Sequence, residues 1–169
     1  MELFDVYDRN KMFTGKVKEK HDFLENEYSM SCFIWIVNEN GELLIQQRSL
    51  KDDNKPGLWS ITGGAVDCGE TSLDASVREL NEEIGLKIDK DELFLIATER
   101  RKNKFFEYYF LEKNIDLEQL TLQKEEVESV KWITIDEYEN NISNALNFQL
   151  FKNFYYNIYL EEIKKPKLK

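Results

Sequence analysis

Three glutamates with helical spacing are the first residues of this chain that could do chemistry. Glu82 and Glu83 follow Glu79 by three and four positions. Such residues are neighbours on a helix surface, where like charges repel one another. A divalent cation would remove that repulsion, and hard oxygen ligands favour Mg²⁺ or Mn²⁺. A solvated acidic face would need no cation, and the spacing leaves both explanations open.

The composition excludes several other chemistries. The 169 residues include one His and two Cys, which is too few for zinc-finger spacings or a disulfide framework. A Ser–His–Asp or Cys–His mechanism would have to use His21, which disfavours it. With 33 acidic and 23 basic residues the net charge is −10, which argues against binding to nucleic acid or to an anionic membrane.

The N-terminus and the apolar runs predict a cytoplasmic protein. The first residues are acidic, where a signal peptide would be basic and then apolar. The longest apolar run, residues 32–37, is far shorter than the roughly 20 residues that span a bilayer.

The glutamates must be positioned by a helix over residues 72–84. Thr71 is a suitable N-cap with Asp74 as its capping-box partner, and Gly85 stands where a left-handed residue ends a helix. An apolar stripe is expected to pack on a sheet, with the carboxylates facing away from that contact. The stripe consists of Leu73, Val77, Leu80 and Ile84.

The remaining elements alternate strands and helices, which predicts an α/β or α+β fold. Asn40-Gly41 is a strong hairpin signal between two of the strands. Strands are predicted over residues 28–37, 42–48, 92–99, 105–111 and 130–133. A helical turn is predicted over residues 136–141, and an amphipathic terminal helix is indicated by Leu146, Leu150, Phe154 and Ile158.

The helix and the loop before it resemble the Nudix box. That box is Gly, five residues, Glu, seven residues, and then Arg-Glu-aliphatic-any-Glu-Glu-any-Gly-aliphatic. Gly64 and Glu70 are followed here by Arg78-Glu79-Leu80-Asn81-Glu82-Glu83-Ile84-Gly85-Leu86. The resemblance implies a mixed β-sheet sandwiched between helices (α/β/α). It also implies one Nudix domain over residues 1–169, with an N-terminal extension (1–28), a core (29–142), and a C-terminal helix and basic tail (143–169).

The resemblance also implies a reaction and the residues that perform it. The reaction is metal-dependent hydrolysis of a diphosphate linkage, typically in a small molecule that joins a nucleoside diphosphate to another group. Glu79, Glu82 and Glu83 would bind Mg²⁺ or Mn²⁺ together with the Gly64 carbonyl. Arg78 would pair with Glu70 and hold the loop against the helix. A homodimer is plausible by family habit.

Two further residues, Glu126 and Arg48, are candidates for the active site, and each also has an explanation that involves no function. Members of the family use either a box glutamate or a loop glutamate as the general base. Glu126, in the acidic run 124–128, is our candidate for the loop base, although such runs are often only solvated. Arg48 follows the second strand and is a candidate for a substrate phosphate, or for a surface ion pair.

Two competing functions are weighed against hydrolysis. Residues 4–8 and Thr14-Gly15 look like the N-terminal segment of relatives of isopentenyl-diphosphate isomerase. That enzyme's catalytic Cys is missing from residues 61–64, and His21 stands alone. A non-catalytic nucleotide-binding module is the other alternative, but such a module is expected to lose box carboxylates. Substrate specificity in this family lies in loops and flanking elements, here residues 1–28, 49–57, 100–104 and the terminal helix.

Overall fold

A mixed β-sheet forms the centre of the molecule. The computed structural model describes residues 2–51, 55–142 and 146–164. Within these ranges seven strands form one sheet: β3 (Ser29–Val37), β4 (Glu42–Arg48), β5 (Trp59–Ser60), β6 (Thr62–Ala65), β7 (Phe94–Arg101), β8 (Lys104–Glu112) and β9 (Val127–Thr134). A separate two-stranded sheet is formed by β1 (Leu3–Tyr7) and β2 (Phe13–Glu19).

Strand β3 lies in the middle of the sheet because its residues are apolar on both faces. It pairs parallel with β8 and antiparallel with β4 and β6. The order across the sheet is β5-β4-β3-β8-β7, with β9 also paired to β4. The predicted hairpin at Asn40-Gly41 joins β3 to β4, where Val37 is opposite Leu43. The parallel β3–β8 pair makes the sheet mixed, as the sequence predicted.

Helix α1 (Ser72–Ile84) has the bounds that its local signals predict. The Thr71 hydroxyl accepts a hydrogen bond from the Asp74 amide at 3.1 Å, and the Asp74 carboxylate accepts one from the Thr71 amide at 3.2 Å. Gly85 ends the helix with φ 71°, a left-handed conformation that glycine adopts without steric cost. These caps define the register of every side chain on the helix.

Helices cover both faces of the sheet. On one face, Leu80 and Ile84 of α1 pack among the side chains of β3. The other face is covered by α2 (Ile135–Asn141), by α3 (Leu146–Phe154) and by a π-helix (Tyr155–Ile163) that continues α3. This arrangement confirms the predicted α/β/α sandwich. Among the described residues no helix is both long and apolar enough to cross a membrane.

The predicted apolar stripe of the terminal helix is wrong at Ile158, although its Phe154 packs against Phe110 with ring centroids 5.2 Å apart. Ile158 is 45% exposed, and the buried side chains are instead Phe148, Phe151, Tyr155 and Tyr159. The aromatic rings form the buried face because they stack on large partners: the ring centroids of Trp35 and Phe151 are 4.5 Å apart. The side chain of Leu146 and the basic tail 165–169 lie outside the described residues.

The N-terminal segment carries strands that the sequence analysis did not predict. Strands β1 and β2 form a hairpin, and Phe4 and Val6 of β1 are buried. Backbone hydrogen bonds of 2.8 and 2.9 Å join Tyr7 to Tyr28 and hold the hairpin beside β3. Of the segment 1–28, predicted as an extension, β1 and Tyr28 are therefore packed against the core, whereas β2 is largely exposed.

Candidate active site

The site begins at Gly64, where β6 passes beneath α1. Gly64 is opposite Cys32 in the antiparallel β3–β6 pair. A Cβ atom added to Gly64 would lie 2.3 Å from Oε1 of Glu79, far inside van der Waals contact. Glycine is therefore required at this position for the strand and the glutamate to approach so closely.

Arg78 fastens the loop to the helix. Its Nε and Nη2 donate to the two carboxylate oxygens of Glu70, each at 2.9 Å. Nη2 also donates to the carbonyl oxygen of Ala65 at 3.1 Å. This bidentate pair is the one that the box resemblance implied, and its two parallel bonds orient the loop as well as holding it.

The same guanidinium contacts two of the box glutamates. Nη1 of Arg78 donates to Glu79 at 2.9 Å and to Glu82 at 3.1 Å. The hydrogen bonds that Arg78 donates to Glu70, and then the charge of Glu79, hold the pKa of Arg78 above its usual range. Arg78 is thus the centre of a network in which a single cation faces several carboxylates.

The three box glutamates differ in burial, which corrects the expectation that they all face away from the sheet. The side chain of Glu82 is 52% exposed, whereas that of Glu79 is 12% exposed. Glu83 is buried, with 6% of its surface exposed. The small buried residues Ala75 and Ser76 form part of the helix face towards the sheet, and Leu73 and Val77 are only partly buried. Glu83 therefore enters the layer between helix and sheet.

Glu83 is held there by a polar network that sequence reasoning missed. Nε2 of Gln46 donates to Glu83 at 2.7 Å, and the Thr62 hydroxyl donates to Oε1 of Gln46 at 2.8 Å. Burial first, and then the charges of Glu79 and Glu126, raise the pKa of Glu83 to about 7, while the hydrogen bond from Gln46 opposes this shift. The alternation of β4 could have found Gln46, because it shares a strand face with buried Leu44.

Burial also raises the pKa of Glu79. Arg78 opposes this effect, while the charges of Glu126 and Glu82 add to it. The four carboxylates that the sequence singled out are therefore close enough to influence one another.

A loop docked on the end of α1 brings Glu126 to this cluster. The amides of Thr121 and Gln123 donate to the carbonyl oxygens of Ile84 and Glu83 at 3.1 and 2.9 Å. The amide of Glu126 donates in turn to the Gln123 carbonyl at 2.9 Å, and its side chain is exposed. The loop is positioned by helix carbonyls that would otherwise lack partners.

Arg48 lies beside the backbone of the Glu126 loop, at the end of β4. It is paired in register with Val127 of β9, next to Glu126. Its positive charge lowers the pKa of Glu83. The structure thus places Arg48 within electrostatic reach of the buried carboxylate.

The donor chemistry of the cluster fits a hard divalent cation. Carboxylate oxygens of Glu70, Glu79 and Glu82 and the carbonyl oxygen of Ala65 surround the Arg78 guanidinium. The buried Cys32 lies opposite Gly64, and burial raises the pKa of its thiol to about 11, which disfavours the thiolate that would bind a soft metal. Among the described residues, no group of three or more His, Cys, Asp or Glu side chains is already arranged as a metal site. Arg78 instead holds Glu79 and Glu82 by hydrogen bonds.

Comparison with known proteins identifies the class of this fold and site. The family model of the NUDIX domain matches residues 27–154. An uncharacterized Nudix hydrolase of Listeria monocytogenes is 35% identical over 141 residues, which cover 82% of this chain and 83% of that protein. The chain belongs to the Nudix family, and it is an enzyme of the Nudix pyrophosphohydrolase class. Enzymes of this family generally require divalent metal ions.

A solved structure shares the fold of this chain, and an isopentenyl-diphosphate isomerase is similar to part of its sequence. The crystal structure of DR0079 from Deinococcus radiodurans superposes with a TM-score of 0.72 at 20% identity, covering 89% of this chain and 98% of that one. An isopentenyl-diphosphate Δ-isomerase of Pectobacterium atrosepticum is 30% identical over 93 residues, which cover 54% of this chain and 52% of that enzyme. The isomerase similarity is real but spans only about half of each chain.

Proposed function

We propose that the enzyme hydrolyses a diphosphate linkage in a compound that joins a nucleoside diphosphate to another group, by attack of water on phosphorus. The observation that carries this proposal is the assembly of the box: Arg78 clamps Glu70 and reaches Glu79 and Glu82, while Gly64 approaches Glu79 without a side chain. The strand β6, the loop that follows it and helix α1 bring these groups together. That convergence is what a polyanionic substrate bound through cations requires.

Glu79, Glu82 and Glu83 would hold Mg²⁺ or Mn²⁺ with the Gly64 carbonyl. When bound, the ion supplies a lowered pKa for its water and charge stabilisation at the attacked phosphorus. Glu70 and Arg78 keep the loop against the helix, so that the Gly64 carbonyl stays beside Glu79. Arg48 is suited to hold a phosphate oxygen, since a guanidinium can donate two parallel hydrogen bonds.

Glu126 is our proposed general base. Its charge raises the pKa values of both Glu79 and Glu83, which supports a role close to the proposed metal ligands. Its backbone is anchored to the end of α1, while its side chain remains exposed to solvent and to an incoming water. A base must lie within hydrogen-bond reach of the proton that it removes.

The function is tested with a substrate panel and labelled water. Dinucleotides, nucleotide sugars, NADH, CoA and nucleoside triphosphates would each be incubated with Mg²⁺ or Mn²⁺ in H₂¹⁸O. We expect metal-dependent cleavage of at least one substrate, with ¹⁸O found in a phosphate product. Isomerisation of isopentenyl diphosphate would instead favour the isomerase alternative, and nucleotide binding without turnover would favour the non-catalytic module.

The base assignment is tested by paired substitutions in the loop. Glu126→Gln should lower kcat by about 10²-fold, within the range for positioned general bases, with little change in KM. Glu125→Gln is the matched control, because it removes the neighbouring exposed carboxylate. If Glu126→Gln is as active as Glu125→Gln while Glu82→Gln is inactive, the general base is a box glutamate and not Glu126.

A further inference from the structure

A cavity of about 240 Å³ lies between the N-terminal hairpin and the ends of β3, β6 and β8. Lys20 and His21 follow β2 on one side of it, and Asn103 and Lys104 stand where β8 begins on the other. Each of these four residues has a side chain with a nitrogen atom that can donate a hydrogen bond. The only carboxylate among the lining residues described is that of Glu2, which is exposed.

The two lysines of this cavity differ from many others in the chain. Although acidic residues outnumber basic ones by 33 to 23, neither Lys20 nor Lys104 forms an ion pair with any described residue. Carboxylates do pair with seven other lysines: Lys11, Lys16, Lys18, Lys90, Lys113, Lys152 and Lys164. The Lys104 ammonium donates to the neutral Ser31 hydroxyl at 3.3 Å. Burial, together with the positive charge of Lys20, lowers the pKa of Lys104.

Two ammonium groups that repel one another in a half-buried space are stabilised by an anion between them. The volume is about eight times the roughly 30 Å³ that one water occupies in the liquid, which is room for a phosphate and part of its attached group. Phe4 and Met30 are buried residues of the lining and offer an apolar surface to that attached group.

The cavity shares a wall with the candidate active site. Ala65 lines it, and the Ala65 carbonyl accepts the hydrogen bond from Arg78. Ala65 directly follows Gly64, so the wall lies about 3.8 Å along the backbone from the glycine that approaches Glu79. The cavity and the candidate active site are therefore neighbours along β6.

We propose that this cavity binds a separate phosphate monoester of the substrate, remote from the diphosphate that is cleaved. This proposal rests on the proposed hydrolysis and deepens it. It names as substrates those diphosphate compounds that carry an additional phosphate on the sugar. Lys20 and Lys104 are the residues that select for that phosphate.

Two pairs of compounds that differ by one phosphate test the proposal: CoA with dephospho-CoA, and NADPH with NADH. For at least one pair we expect kcat/KM to be about tenfold or more higher for the member with the extra phosphate, the scale of a charge-assisted hydrogen bond. Lys20→Gln and Lys104→Gln should each move that ratio towards one. Lys20 is exposed, so its variant reports on binding even if Lys104→Gln is destabilised.

Lys87→Gln is the matched control, because it removes the same charge from an exposed lysine outside the cavity and should preserve the ratio. Ratios near one for both pairs, or a ratio that the cavity variants leave unchanged, overturn the proposal. So does calorimetric binding of inorganic phosphate that depends on Lys20 while both ratios are one, because the ligand is then free phosphate. If no compound is hydrolysed, the proposed function fails, and dissociation constants of the same pairs test the cavity by themselves.

Discussion

The two faces of the central sheet bury different chemistry. On the face covered by α1, Glu83 and Glu107 are buried together with the amide of Gln46. On the opposite face, Trp35 and Phe110 are packed against the aromatic rings of the C-terminal helix. Both faces exclude water, but one buries charged and amide side chains whereas the other buries aromatic rings.

The two buried carboxylates on the α1 face are both bound to other side chains. Glu83 accepts from Gln46, and Glu107 accepts from the Ser72 hydroxyl and from the ammonium of Lys11. Burying a charge is costly unless it is paired and hydrogen-bonded. The aromatic face gains stability from apolar area and ring contacts without such requirements. The face with the proposed site therefore buries paired charges, whereas the opposite face buries rings that contribute to stability.

Glu79→Gln, on the α1 face, is the substitution with the largest expected effect, and it tests whether this face serves catalysis more than stability. We expect kcat to fall by at least about 10³-fold, since metal stabilisation is worth several kcal/mol and each 1.36 kcal/mol is tenfold. The free energy of unfolding should stay level or rise, because a partly buried carboxylate becomes neutral. Steady-state kinetics and urea titration measure the two quantities. Glu118→Gln, at an exposed position, is the control, and a kcat for Glu79→Gln within tenfold of the wild type would contradict the assignment.

Arg78→Lys tests whether the clamp acts through its geometry. A lysine keeps the charge but cannot donate bidentately to Glu70 and also reach Glu79 and Glu82. We expect kcat to fall by about 10- to 100-fold. A double-mutant cycle with Glu70→Gln should show strong non-additivity. Additive losses would mean that the two residues do not act through one pair.

Phe151→Leu, on the aromatic face, tests the converse expectation that this face contributes to stability and leaves catalysis unchanged. Phe151 is fully buried and stacks on Trp35 with 18° between the ring planes. Loss of the ring and its stacking should lower the free energy of unfolding by about 2 kcal/mol. The kcat of the folded fraction should be unchanged. A loss of kcat at full occupancy of the folded state would show that the two faces are coupled.

Asp74→Asn gives the smallest expected effect. Hydrogen bonds from Lys90 and Thr71 hold the pKa of Asp74 at about 2, below its usual 3.8. The carboxylate therefore contributes stability above about pH 4, and the contribution is lost as the pH falls towards 2. We expect the variant to cost about 0.5 to 1 kcal/mol at pH 6 and less at pH 2, measured by urea titration. Asp22→Asn is an exposed control, and a cost that does not vary with pH would refute the linkage.

Local signals predicted α1 and the strands around it well. The Thr71 cap and Gly85 determined both ends of α1, since capping depends on residues within one turn. Strand β4 occupies the predicted residues 42–48, because the Asn-Gly turn defined where it begins. The hairpin β1–β2 was not predicted, because its stability comes from burial of Phe4 and Val6 under distant parts of the chain.

The buried face of the C-terminal helix shows the same limit. The apolar i+4 pattern ending at Ile158 is as regular as the aromatic one, so periodicity alone did not distinguish them. Trp35 and Phe110, more than 30 positions away in the chain, select the aromatic face by stacking. A helix pattern indicates which faces are apolar, and the partner across the interface decides which one is covered.

The sequence by itself determined the order of the box residues, the helix that carries Glu79, Glu82 and Glu83, and the family to which the chain belongs. Those features depend on spacing along a helix, which is a local property. Only the tertiary structure decided that Glu83 is buried against Gln46, that Arg78 reaches Glu82 as well as Glu70, and that Lys20 and Lys104 share one cavity. Desolvation and charge pairing depend on what packs across an interface, and no spacing within one segment specifies that.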